Sequence, residues 1–103
     1  MSAPGARDVE VVVDLDASAF ATVVEVHAAD DVGLLARVAT VFAELDLGVT
    51  QAIVSTVGDR VVDVFYLRDA DGQKFVDAAA IERVRDAVLT RLAEPARPAL
   101  DAT

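Results

Sequence analysis

Between residues 22 and 45 the apolar residues change period within a handful of positions. Thr22, Val24 and Val26 alternate with Val23, Glu25 and His27, which is the period of two that a strand imposes on its faces. Leu34, Val38, Val41 and Leu45 follow at spacings of four, three and four, and Leu35 and Phe42 widen the same stripe. That is the period of a helix with one apolar side. Only Asp30-Asp31-Val32-Gly33 separates the two patterns. A strand that turns this abruptly into a one-sided helix predicts a helix laid against a sheet.

The rest of the chain supplies matching pieces. Val9, Val11, Val13 and Leu15 alternate with Glu10, Val12, Asp14 and Asp16, so a strand precedes the one at 21–28, with a turn through Asp16 and Ser18. Residues 49–57 and 60–68 read as two strands joined at Gly58-Asp59, a hairpin signal. After the loop that holds Asp69, Asp71 and Gly72, Ile81, Val84, Val88 and Leu92 space a second helix. Asp77 is its expected N-cap, and Pro95 and Pro98 end it. For the first helix the expected N-cap is Asp30 or Asp31, and Gly48 is the expected terminating glycine.

The predicted order is strand, strand, helix, strand, strand, helix. Without its first strand this is a β-α-β-β-α unit, the split ferredoxin-like pattern lacking its last strand. The N-terminal strand can fill that place by pairing antiparallel with 21–28. The predicted fold class is therefore α+β: a four-stranded antiparallel sheet with both helices on one face. The domain is expected over residues 8–94, with disordered ends at 1–7 and 95–103.

The other sheet face is expected to carry Val23, Glu25 and His27, and by matching parity also Ile53, Ser55, Asp63, Phe65 and Leu67. That set is too apolar for water. Val23, Glu25, His27, Asp63 and Phe65 are thus the candidate interface with a second domain.

Charge and composition narrow the function. Asp and Glu outnumber Lys and Arg 18 to 9, a net charge of −9, which repels phosphate backbones and anionic membranes. The chain has no Cys and one His, which excludes thiol chemistry and His- or Cys-rich metal centres. No Ser stands beside His27 for nucleophilic catalysis. The expectation is a cytoplasmic domain, not an enzyme by itself, with no cofactor, no metal, no nucleic acid and no membrane partner. Asp14 and Asp16 lack a third acid for a metal, and Asp69-Ala-Asp-Gly72 lacks the acid that would complete a calcium loop, since Ala80 stands there. Arg83, Arg85 and Arg91 read as a solvated helix face.

The strand–helix junction is the strongest candidate site. Amides of Val32, Gly33 and Leu34 at a helix N-terminus can receive a carboxylate, and Asp30 can receive an ammonium. Gly33 places no side chain in the way.

The βαββα order, with Asp30-Asp-Val-Gly33-Leu-Leu35 at its first junction, resembles the ACT domains, small amino-acid-sensing regulatory modules. Ala21-Thr-Val-Val-Glu-Val-His-Ala-Ala-Asp30, Ala43-Glu-Leu45, Gln51-Ala-Ile-Val-Ser-Thr56 and Val61-Val-Asp-Val-Phe-Tyr66 with Asp69-Ala-Asp-Gly72 resemble, more closely, the C-terminal ACT domain of the bifunctional uridylyltransferase/uridylyl-removing enzymes. The resemblance runs from about residue 9 to 94. It implies binding of an amino-acid effector, glutamine, and pairing with a second ACT domain. It implies contact with the PII nitrogen-signalling protein only through catalytic domains that this stretch does not include. The implied ligand residues are Asp30, Asp31, Val32, Gly33 and Leu34, with Gln51, Ala52 and Ile53 closing the pocket from a partner domain. The usual junction in this family is acid, base, proline, glycine. Here Asp31 replaces the base and Val32 the proline, which removes a cation and loosens the loop. The competing reading is a protein-interaction module without a ligand.

Overall fold

The computed structural model describes residues 9–29 and 33–93. Its elements are β1 (Glu10–Asp14), β2 (Thr22–Ala29), α1 (Leu34–Glu44), β3 (Gly48–Val57), β4 (Arg60–Arg68) and α2 (Ala78–Ala93). All four strands form one antiparallel sheet in the order β1-β2-β4-β3. This is the α+β, ferredoxin-like arrangement, with β1 in the place of the missing last strand. The expected ends at 1–7 and 95–103 lie outside the described residues, as does Asp30-Asp31-Val32. No described helix is long and apolar enough to cross a membrane.

The core lies between the sheet and the two helices. Val24 and Val26 from β2 and Phe65 and Leu67 from β4 are at most 1% exposed. They pack with Val38 and Phe42 of α1 and Val84 and Val88 of α2. The rings of Phe42 and Phe65 meet edge to face, centroids 5.0 Å apart, a favoured aromatic geometry. Both helices turn their apolar stripes to this layer.

The pairing register corrects one expectation. Val24 stands opposite Phe65 and Val26 opposite Asp63, and directly opposed residues share a face. Asp63, Phe65 and Leu67 therefore point toward the helices and are buried, not displayed on the open face. The open face instead carries Val23, Glu25 and His27 beside Tyr66, Val64 and Val62. Ile53 lies opposite Val64 and Ser55 opposite Val62, so those two keep their expected face. Parity within 60–68 gave a hint, since Arg60, Tyr66 and Arg68 share one face, but it did not decide the matter, since Asp63 lies in the other row and Val62 and Val64 in theirs.

The connections use specific local chemistry. Gly58 takes φ 64° in the two-residue β3–β4 turn. Asp77 Oδ2 accepts the Ala80 amide at 3.0 Å, which caps α2 as expected. The end of α1 differs from expectation. Its left-handed residue is Asp46, at φ 61°, not Gly48, which already opens β3. The Asp46 amide bonds the Ala43 carbonyl at 3.1 Å and the Leu47 amide bonds the Phe42 carbonyl at 2.9 Å. That pair of bonds is a Schellman cap.

Candidate functional site

The start of α1 is where the sequence placed a site. Gly33 occupies the N-cap position with φ 80° and ψ 6°, and it has no side chain to cap the helix. The expected capping residues, Asp30 and Asp31, lie outside the described residues, and the residue at the cap position is a glycine in the left-handed region. A Cβ on Gly33 would meet nothing within 4 Å, so the glycine is needed for its φ rather than for room inside the fold. The first helical bond runs from the Arg37 amide to the Gly33 carbonyl at 2.9 Å. The amides of Leu34, Leu35 and Ala36 thus precede the helical ladder and carry the positive end of its dipole.

A cleft of about 390 Å³ opens beside this turn. Gly33, Leu34, Leu35 and Ala36 form one wall, and Val54, Thr56, Val61 and Asp63 form the other. The first wall ends in backbone donors. The second is apolar except for the Thr56 hydroxyl and the Asp63 carboxylate. Asp63 is 2% exposed and sits between Val26 on β2 and Val54 on β3. A volume of this order suits a small molecule.

The expected ligand residues distribute as follows. Gly33 and Leu34 line the cleft, while Asp30, Asp31 and Val32 lie outside the described residues. Gln51 and Ile53 stand opposite Tyr66 and Val64 on the other sheet face, and Ala52 stands opposite Phe65. All three are exposed on the edge strand and none lines this chain's own cleft. Sequence reading did not place Val54, Thr56, Val61 or Asp63 beside Gly33 in this chain's own cleft. Their signal was the register between β3 and β4, which no single strand displays.

The family follows from the chain as a whole. The model of the ACR family N-terminal ACT domain matches residues 17–94. The chain belongs to the ACT-domain family. It is 38% identical over 94 residues to the bifunctional uridylyltransferase/uridylyl-removing enzyme of Pseudomonas fluorescens strain SBW25, covering 91% of this chain and 10% of the relative. The same enzyme from Pseudomonas putida strain W619 is 40% identical over 77 residues, covering 75% of this chain and 9% of the relative. The chain thus spans about a tenth of the length of these relatives, and the matched part is their ACT region, not their catalytic parts. No solved structure matches it significantly.

In this ACT domain the other candidates resolve into structure. Glu25 Oε1 and His27 Nε2 lie 3.1 Å apart on the open face, each side chain about one-third exposed. Asp14 Oδ1 accepts the Asp16 amide at 3.0 Å, and Asp69 Oδ1 accepts the Asp71 and Gln73 amides, both at 2.9 Å. Both are turn-forming acids. No group of three potential metal ligands gathers among the described residues. Arg85 pairs with Glu82 at 3.1 Å and Arg91 with Glu44 at 2.7 Å, so the expected solvated face is partly an ion-paired one.

A second cleft of about 370 Å³ lies at the opposite end of the helix layer, floored by Leu45, Leu47, Phe75 and Val84. Its rim acids Asp69 and Asp77 are engaged in turn and cap bonds. The Gly33 cleft differs in setting helix donors across from a buried carboxylate.

Proposed function

We propose that this ACT domain is a regulatory module that binds a free amino acid, glutamine foremost, in the cleft between Gly33–Ala36 and the β3–β4 wall. The single observation that carries the reading is the first turn of α1. It begins at a left-handed glycine, no described side chain caps it, and it opens onto a cleft of small-molecule size. An α-carboxylate suits such a helix end, because it offers acceptors to first-turn amides that have no partner within the helix. The likeness to uridylyltransferase/uridylyl-removing enzymes supports a place in the control of such an enzyme, which would connect the domain to the PII protein only indirectly.

Backbone amide shifts followed during titration with glutamine and other amino acids test this. The expected result is a saturable shift confined to Gly33–Ala36 and the facing residues Val54–Thr56 and Val61–Asp63. If no amino acid moves these amides at millimolar concentration, the reading fails.

A second reading, association with another ACT domain, is favoured by β3. It is an edge strand of ten residues, exposed throughout, and it contains no charged residue or proline. Such an edge offers unpaired backbone groups to another strand. In a chain of charge −9, it is also where two copies can approach without opposing charges. Light scattering should give twice the 10.8 kDa chain mass, and Ile53→Lys should return it to the single-chain mass. A single-chain mass for the unaltered domain would rule this pairing out.

A further inference from the structure

We infer that the hollow between the β1–β2 turn and the loop after β4 is a second binding site, for a small organic phosphate monoester. Arg68 and Lys74 hold the phosphate dianion, and Phe20 covers the apolar group of the ester. The site is separate from the Gly33 cleft and does not depend on what that cleft binds.

The charges are the first ground. The hollow, of about 250 Å³, is lined by Ala19, Phe20, Arg68, Gly72, Gln73 and Lys74. Both of its ionisable residues are basic, in a chain where acids outnumber bases 18 to 9. Asp16, Asp69 and Asp71 belong to the same two loops, but none of them lines the hollow. Among the described residues no carboxylate pairs with Arg68 or Lys74, whose bonds all run to backbone carbonyls. Two like charges set at one hollow repel each other, and an anion between them relieves that repulsion.

The way the two cations are held is the second ground. Lys74 Nζ donates to the carbonyls of Leu15 and Ser18 at 2.5 and 2.7 Å. Arg68 Nε donates to the Phe20 carbonyl at 3.2 Å. Ser18 Oγ accepts the amides of Phe20 and Ala21 at 3.1 and 3.2 Å. The turn that carries Phe20 is thus tied to the loop that carries Lys74. These bonds leave most of the guanidinium N–H groups and one ammonium N–H group over. The spare donors are in place before a ligand arrives, which lowers the ordering cost of binding. A guanidinium fork beside an ammonium suits phosphate, and a phosphate monoester carries nearly two charges at neutral pH. A single carboxylate balances only one of the two cations. Phe20 is 75% exposed beside them, so an ester whose organic group covers the ring buries apolar surface that inorganic phosphate cannot.

The probes are phenyl phosphate, inorganic phosphate and benzoate, each titrated into the full chain and followed by amide and side-chain shifts. Phenyl phosphate should give saturable, millimolar shifts confined to Ala19, Phe20, Arg68 and Gly72–Lys74, and should bind more tightly than either of the other two. Its affinity should rise from about pH 5 to about pH 7.5 as the ester loses its second proton, while that of benzoate stays level. Lys74→Gln and Arg68→Gln should each weaken phenyl phosphate by about fivefold, the upper range for an exposed ion pair. Lys74→Arg, which keeps the charge, should bind like the unaltered domain. Fold retention is read from the dispersed amide spectrum. The inference is overturned if phenyl phosphate gives no saturable shift at these residues, or if benzoate binds the unaltered domain as well as phenyl phosphate does. Undiminished affinity for phenyl phosphate in a folded neutral variant would overturn it too.

Discussion

Thr22 and Phe75 exchange two hydrogen bonds across the fold. The Thr22 hydroxyl donates to the Phe75 carbonyl at 2.6 Å and accepts from the Phe75 amide at 2.9 Å. Thr22 is fully buried at the start of β2, so one side chain satisfies both backbone groups of the residue that leads the chain into α2. Thr22→Val keeps the shape and strands both groups. The expected loss is about 2–4 kcal/mol of unfolding free energy, read from urea denaturation. Thr22→Ser should retain most of the stability.

The face assignment of β4 is testable by contrast. Phe65 is 1% exposed against Phe42, whereas Val57 at the end of β3 is 71% exposed. Phe65→Ala should cost about 3–5 kcal/mol, while Val57→Ala should change stability by less than about 0.5 kcal/mol. Similar, small effects of the two would put Phe65 back on an outer face.

Asp46 sits at φ 61° just past the last turn of α1. The left-handed region favours glycine there, and a negative charge is unfavourable at a helix C-terminus. Asp46→Gly should therefore stabilise the domain by about 0.5–1 kcal/mol, visible as a raised midpoint in thermal unfolding.

Gly33 has the converse prediction. With φ at 80° and open space where a Cβ would stand, Gly33→Ala carries only the conformational cost, about 1 kcal/mol. The circular dichroism spectrum should be unchanged, and chemical denaturation should show a lower midpoint.

Element identity was legible because each element carries its own period. The α1 stripe Leu34, Val38, Val41 and the Asp77 cap can be read without any neighbour, and so can the Gly58 turn. What stayed hidden depends on two elements at once. β4 has apolar side chains of both parities, so only its pairing with β2 decides whether Phe65 or Tyr66 faces the helices. The same ambiguity placed Asp63 outside the cleft whose wall it forms. The end of α1 was misread for a different reason. Gly48 was the obvious terminator by residue type, yet the chain turns at Asp46, because the carbonyls of Phe42 and Ala43 need partners immediately beyond the helix.

Supplying the outer strand from the N-terminal side changes how the sheet can assemble. β1 reaches its place beside β2 through a connection of residues 15–21 only, whereas a strand after α2 would have to return to β2 across more than 60 residues. Loop-closure entropy rises by about 0.6 kcal/mol for each doubling of length, so the difference of roughly three doublings is worth about 2 kcal/mol. The β1–β2 hairpin is thus a local contact that can form early, and the long-range pairing of β2 with β4 is left as the step that governs the folding rate.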